Sequence, residues 1–432
     1  MQLKNKSFCV VTLGCRVNQY ESNDIACQLI NRQAIKIDKI SKAEICVFNT
    51  CCVTHKAETK CKNLINRAIK STTCKLIIIV GCYSQLIKSF NSKKIRIVLG
   101  TKYKNILGEA LDKLQDQEKV IQIDNHKKNE LFEWYENNKF IDNTRAFLKI
   151  QDGCNMMCTY CLIPIVRGRQ RSLNHEIIIQ TIKELVSDNY KEIILTGVNT
   201  AGYRQNEQYG FYELLKDIDH IPGNFRIRIS SVEPFQISKE IIDLITNNKK
   251  RWCQHFHICL QSGSDNVLKD MNRCYKIQNF LSICRYIRQK NKNASITTDY
   301  IVGFPTETEN TFNESMDNLK KIKFSDMHVF PYSKRPFTPA SKIKENTNVQ
   351  QKKYWLDQIT KIKNMNKKKY LQTFINKEVN VLFEHNKEKN VQIGHSEYSF
   401  IVKVNTKKSL WNELRKVKII KMTNNDLFGV LL

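Results

Sequence analysis

The feature that most constrains this chain is a run of three cysteines, Cys154-Asn-Met-Met-Cys158-Thr-Tyr-Cys161, directly after the apolar β-type segment 146–150 (AFLKI). Three thiols so close together in one loop cannot all serve as buried packing without crowding one another. Soft thiolates in this arrangement fit an iron–sulfur cluster or zinc. A structural zinc staple needs a fourth Cys or His from elsewhere. Three ligands alone leave one metal position open to a substrate or cofactor.

The surrounding pattern alternates between strand and helix. In the first hundred residues, strand-like runs at 7–13, 44–48, 75–80 and 96–99 alternate with helical stretches at 19–31 and 55–70, the rhythm of a small parallel sheet covered by helices. A polar stretch over 114–143 reads as a connecting arm and not a core element. A second alternation follows, with strands at 146–150, 192–196, 225–230, 255–260, 295–302 and 326–331 and helices at 175–187, 239–246, 278–289 and 308–321. About six βα units suit a barrel-like layout shorter than the eight-unit barrel, with its site at the carboxyl ends of the strands. From about residue 374, short β runs without intervening helices predict a small β-barrel. The fold class expected is therefore α/β: an N-terminal parallel sheet domain, a partial six-unit barrel and a small C-terminal β-barrel. The corresponding divisions are 1–113, 114–144, 145–370 and 371–432.

The 432 residues contain 16 cysteines. With no secretion signal at the N-terminus, a disulfide framework is disfavoured against metal ligation, catalysis or burial. The longest apolar stretch, around Leu76 to Tyr83, is far short of the roughly 18–20 residues a membrane span needs. A cytoplasmic protein with no membrane partner is expected. The net charge of +28 attracts polyanions, nucleic acid foremost. The crowding of Lys, Asn and Ile supplies a second source for that charge, A/T-rich codon usage.

The cysteine triplet is the signature of radical S-adenosylmethionine (SAM) enzymes, and the chain around it resembles the methylthiotransferase family. The matching stretches, in order, are TLGCRVNQYES, NTCCVT, GCYSQ, DGCNMMCTYCLIPIVRGRQRS, LTGVN, RISSVEP, HICLQSGSDNVLKDMNR, DYIVGFPTET and HVFPYSKRPFTPAS. They span nearly the whole chain, and RISSVEP with HVFPYSKRPFTPAS is most like the branch acting on N6-threonylcarbamoyladenosine at position 37 of tRNA. The resemblance implies two 4Fe-4S clusters, each with an open iron. Cys154, Cys158 and Cys161 would hold the one that cleaves SAM, and Cys15, Cys51 and Cys82 the one that donates a methylated sulfur. The substrate partner implied is the tRNA anticodon loop, with an electron donor and a sulfur donor whose identity the residues do not disclose. Alternatives are the branch acting on N6-isopentenyladenosine, the branch modifying a ribosomal-protein aspartate, which the charge disfavours, and a non-enzymatic RNA-binding protein with iron–sulfur or zinc sites.

Spacing gives the N-terminal cysteines a reading of their own. Cys15, Cys51 and Cys82 each follow one of the first three strands, so three loops bring three thiols to the carboxyl edge where open α/β sheets gather ligands. Free buried thiols are the alternative. Cys52 is adjacent to Cys51, and only the motif NTC selects the latter. The other ten cysteines read as inert background.

Weaker candidates for SAM or adenosine contact are Gly197, Ser231, Glu233, Gln261 and Gly303, with Ser262, all at strand ends facing the expected site. Each is equally well a turn glycine or a helix cap. Arg167, Arg169 and Arg171 either face phosphates or form a solvated face. The tail resembles the TRAM domain, associated with RNA binding. Its Lys387, Lys389, Lys403, Lys407 and Lys408 are candidate phosphate contacts, and Tyr398 and Phe400 either stack on bases or pack in the core. Three positions depart from the family pattern: Cys259 for Pro, and Thr306 and Phe337 for Gly.

Overall fold

The computed structural model describes residues 3–87, 90–128, 130–134, 144–385 and 390–432. The N-terminal sheet is parallel throughout, in the order β2-β1-β3-β4-β5-β6. Its strands are β1 (Ser7–Thr12), β2 (Ile35–Lys36), β3 (Ile45–Thr50), β4 (Leu76–Gly81), β5 (Ile95–Leu99) and β6 (Val120–Gln122). Every residue of β3 and β4 is buried, which accounts for their unbroken apolar runs: both faces of a parallel sheet are covered. Helix α1 (Arg16–Asn31) follows β1, and α2 (His55–Lys70) follows β3. Thr54 caps α2 by accepting a hydrogen bond from the Ala57 N–H at 3.1 Å. The short α3 (Cys82–Leu86) follows β4 directly.

The polar stretch expected to be a bare connector departs from that reading at its start. Val120 is buried in the apolar core, and β6 extends the sheet by pairing with β5. Three residues are too few for a period-2 signal to stand out from polar neighbours.

The second α/β body is built from β7 (Ala146–Lys149), β10 (Glu192–Thr196), β11 (Arg226–Ile229), β12 (His255–His257), β13 (Ser295–Val302) and β14 (Asp326–Pro331). The sheets β11-β10-β7 and β12-β13-β14 are both parallel, and the bridges Ile227–Trp252 and Val232–Ile258 join them into a six-strand arc. A hairpin of β8 (Gln151–Asp152) and β9 (Arg171–Ser172) carries the cysteine loop between its strands. Side chains from the arc and its helices form the largest apolar core. The helix Val349–Gln372, absent from the sequence reading, packs on it through Trp355, which stacks on Phe312 with centroids 4.6 Å apart.

The C-terminal unit is a closed barrel in the order β15-β16-β17-β19-β18. These strands are β15 (Glu378–Phe383), β16 (Val391–Ser396), β17 (Ile401–Asn405), β18 (Leu414–Thr423) and β19 (Asp426–Leu431). It docks on β11: Arg226 donates to the carbonyls of Asn380 at 2.9 Å and His395 at 2.8 Å, and Arg228 to that of Ser396 at 2.9 Å. Among the described residues no helix is long and apolar enough to cross a membrane.

Candidate functional site

The parallel order of the first sheet puts the loops after β1, β3 and β4 side by side at one edge. Cys15 caps α1, Cys51 follows β3 and Cys82 opens α3. The three sulfurs lie within electrostatic reach of one another. Tight glycines shape the approach. Gly14 has φ +103°, and a Cβ there would lie 2.8 Å from the Cys51 sulfur; Gly81 has φ +104°, with Thr50 O 2.6 Å from where its Cβ would be. Only glycine adopts such backbone without strain. Asn18 staples the edge, donating to the carbonyls of Leu13 at 2.7 Å and Thr50 at 3.1 Å.

Burial pushes the Cys51 thiol up to about 12 and raises Cys15 as well. Cys82 moves the other way: a hydrogen bond with the Cys52 thiol, then the cations of Arg167 and Lys104, lower it. Cys52 lies near Cys82 and Cys51, and Cys51 lies near both Cys82 and Cys15.

In the second loop, Cys158 is buried and Cys154 and Cys161 are half-buried. Each sulfur accepts a hydrogen bond: Cys154 from Met156 N at 3.3 Å, Cys161 from Ile163 N at 3.4 Å, and Cys158 from Arg273 Nη1 at 3.3 Å. Donors aimed at sulfur suit thiolates, so these residues fit an iron–sulfur cluster. The two loops meet, because Leu162 and Val166 pack in one apolar cluster with Leu13, Cys51 and Cys82.

Between them lies a sealed ionic cluster. The Arg167 guanidinium is fully buried and donates from Nη1 to Glu21 Oε1 at 2.9 Å, and to both Asp152 oxygens at 3.0 Å. Its Nη2 donates to Asn18 Oδ1 at 2.7 Å and Glu21 Oε2 at 3.0 Å. Lys149 reaches Asp152 at 3.2 Å and Glu21 at 3.4 Å, and Lys104 also pairs with Glu21. Burial alone would raise the Glu21 carboxyl, but Arg167, Lys104 and Lys149 hold it down to about 2. Charges this deep persist only when paired and hydrogen-bonded.

Residues 148–319 match the radical SAM superfamily, and residues 7–100 match a family described as Uncharacterized protein family UPF0004. The chain is 35% identical over 420 residues to the Bacillus subtilis (strain 168) threonylcarbamoyladenosine tRNA methylthiotransferase MtaB, covering 95% of this chain and 93% of that relative. This chain belongs to the radical SAM methylthiotransferase family. A Clostridium tetani relative, a tRNA-2-methylthio-N(6)-dimethylallyladenosine synthase, is 34% identical over 439 residues, 98% of this chain and 96% of its own. The solved radical SAM methyltransferase TsrM from Kitasatospora setae shares the fold at a TM-score of 0.57 and 11% identity, covering 77% of this chain and 74% of its own.

Several readings of individual residues in this methylthiotransferase change with the structure. Arg167 and Arg171 do not face phosphates or solvent: Arg167 is the centre of the ionic cluster, and Arg171 is buried and donates to the carbonyl of Arg167 at 2.7 Å. Arg169 alone of the three is exposed. Tyr398 and Phe400 belong to the C-terminal core, their rings stacked at an interplanar angle of 9°, and do not form a base-stacking face. Lys403 pairs with Asp426 at 2.7 Å, Lys407 and Lys408 are exposed, and Lys387 and Lys389 lie outside the described residues.

Among the SAM candidates, Glu233 forms an ion pair with Arg273, the residue that also donates to Cys158. Burial raises the Glu233 carboxyl despite that partner. Gln261 takes φ +66° at a bridge to Tyr300. Ser231 is half-buried just past the end of β11. A Cβ on Gly197 would meet Gln151 Oε1 at 2.9 Å, and one on Gly303 would meet the Lys352 side chain at 2.7 Å, so a side chain at either position would press on neighbouring protein. Phe337 holds φ +70°, the conformation a glycine would adopt freely, with its ring 72% exposed. Cys259 keeps a strand-end hydrogen bond that Pro could not make, donating from its N–H to Val232 O at 3.0 Å.

Sequence reasoning passed over Glu21, Lys104, Lys149, Asp152 and Arg273. Charged residues inside otherwise apolar β-type segments, such as Lys149 in AFLKI, were the available signal.

Proposed function

We propose that this protein converts N6-threonylcarbamoyladenosine at position 37 of the tRNA anticodon loop to its 2-methylthio derivative. Cys154, Cys158 and Cys161 hold one 4Fe-4S cluster, and Cys15, Cys51 and Cys82 hold the other. When bound, the clusters and SAM supply a radical that removes the C2 hydrogen of the adenine and a methylated sulfur that takes its place. The chain's own residues bind, orient and exclude water. Arg273 orients Cys158 and Glu233 together, and the ionic cluster around Arg167 holds the two cysteine loops in fixed relation. Glu233, Ser231, Gln261, Gly197 and Gly303 line the SAM side.

The observation that carries this reading is the packing of Leu162 and Val166, beside Cys161, against Cys51 and Cys82. A substrate atom that must react first at one centre and then at the other needs both within one cavity. The identity to a threonylcarbamoyladenosine tRNA methylthiotransferase supports the substrate class. The work divides as 1–113 for sulfur donation, 114–144 as connector, 145–370 for SAM cleavage and 371–432 for RNA, in the cytoplasm. An electron donor and a sulfur donor complete the cycle.

Nucleoside mass spectrometry of tRNA from cells with and without the gene tests this. Loss of 2-methylthio-N6-threonylcarbamoyladenosine on deletion is expected, and an unchanged level refutes the substrate.

A further inference from the structure

Arg16 is the residue after Cys15 and the first of α1. The buried arginines around the two loops are committed. Both terminal nitrogens of Arg167 are taken by Glu21, Asp152 and Asn18. Arg226 and Arg228 are held by Glu192 and by carbonyls of the C-terminal barrel, and Arg273 is held by Glu233. Among the described residues Arg16 makes one hydrogen bond, from Nη1 to the neutral hydroxyl of Ser230 at 3.1 Å. Among the described residues no carboxylate lies within ion-pair distance of it. A half-buried guanidinium with one neutral partner keeps donors free for a further acceptor.

That guanidinium lines a cavity of about 330 Å³, with His255, His257, Thr297 and His328 on the barrel side and Tyr398 on the C-terminal side. Charged groups near Arg16 include Arg228 and Arg145, of like sign, and Glu192 and Asp299, of opposite sign. Both anions are already engaged, Glu192 by Arg226 and Arg228 and Asp299 by His257 at 3.4 Å. The acidic groups lining the cavity are paired as well, Asp326 with Lys367 and Asp426 with Lys403, so Arg16 is a cation of this wall without a carboxylate at ion-pair distance, next in sequence to a cysteine proposed to hold the sulfur-donating cluster. A planar fork of N–H donors in such a place matches a carboxylate.

We propose that Arg16 is the receptor for the carboxylate of the threonyl arm on N6 of the substrate adenine, and so selects that arm. This assignment rests on the threonylcarbamoyladenosine reading above. An apolar dimethylallyl arm offers the guanidinium no acceptor and displaces water from it without replacement, so the group that attracts one arm disfavours the other.

The test uses the full-length, cluster-reconstituted protein and three anticodon stem-loops: one with N6-threonylcarbamoyladenosine, one with its threoninamide analogue, which lacks the negative charge, and one with N6-isopentenyladenosine. Binding is read by fluorescence anisotropy without SAM, and methylthiolation separately by mass spectrometry. The wild-type protein is expected to bind the carboxylate form about 10- to 100-fold more tightly than the carboxamide. In R16Q that ratio is expected to fall close to one, with affinity for the carboxamide loop retained, which shows the variant is folded. A wild-type ratio near one overturns the proposal without recourse to any variant. So does an R16Q ratio equal to the wild type's, and in that case continued methylthiolation of the threonylcarbamoyl loop leaves the substrate reading intact. Preferential methylthiolation of the isopentenyl loop by the wild-type protein refutes the substrate reading itself.

Discussion

Replacing Glu21 with Gln keeps the side chain's shape and deletes one charge from the sealed cluster between the two cysteine loops. Three cations, Lys104, Lys149 and Arg167, are paired there with Glu21 and Asp152. E21Q leaves Lys149 and Arg167 with Asp152 alone and Lys104 without its carboxylate. Removing one partner from a buried ion pair costs about 3–5 kcal/mol. The titration of the carboxyl gives a comparable figure. Burial works to raise its pKa, yet the three cations hold it down from 4.5 to about 2, which at about 1.4 kcal/mol per unit amounts to about 3 kcal/mol. The assay is thermal unfolding followed by circular dichroism, where a loss of that size lowers the midpoint by roughly 6–12 °C for a domain of this size. The sign with pH follows from the depressed folded value. Glu21's contribution is complete above its unfolded pKa of about 4.5 and is lost as the pH falls towards about 2. The gap between wild type and E21Q is therefore expected to be flat from pH 7 to about 5 and to close below that. A gap under about 1 kcal/mol at pH 7, or one that persists undiminished at pH 3, refutes the reasoning.

Cys158→Ala is expected to reduce the reconstituted iron content from about eight to about four and to abolish SAM cleavage. Cys15→Ala loses a comparable share of iron and all methylthiolation but continues to cleave SAM; loss of both activities in a folded Cys15→Ala protein contradicts separate cluster roles. Gly81→Ala forces a side chain onto φ +104° with its Cβ 2.6 Å from Thr50 O, so a destabilisation of about 2 kcal/mol or more is expected in denaturant titrations. A wild-type midpoint would show that the loop relaxes. Reversing both exposed Lys407 and Lys408 to Glu is expected to weaken tRNA binding most at low salt and to flatten the log–log salt slope by about 2, whereas an unchanged slope removes these lysines from the RNA surface.

The strands β10, β13 and β14 and the helices His175–Ser187 and α2 coincide with the segments read from apolar periodicity, because that period is a local property of the chain. The helix Val349–Gln372 escaped notice for the same reason inverted. Its buried positions Trp355, Ile359, Ile362, Asn366 and Leu371 form a thin stripe in a lysine-rich background, too narrow to register as amphipathic until the barrel is there to receive it. Strand β16 was hidden likewise, its alternation resting on Gln392, Gly394 and Ser396 at the buried positions.

The sequence by itself determined where the two cysteine sets lie, since a residue's identity and its place after a strand are encoded within a few positions. It could not decide which arginine is structural and which is free. Arg167 and Arg16 look alike along the chain, each placed just after a cysteine loop. Only the docking of the N-terminal sheet on the barrel brings Glu21 to Arg167 across 146 positions and leaves Arg16 with Ser230, 214 positions away. Whether a buried charge is satisfied depends on what the tertiary structure sets against it, and that partner is written elsewhere in the chain.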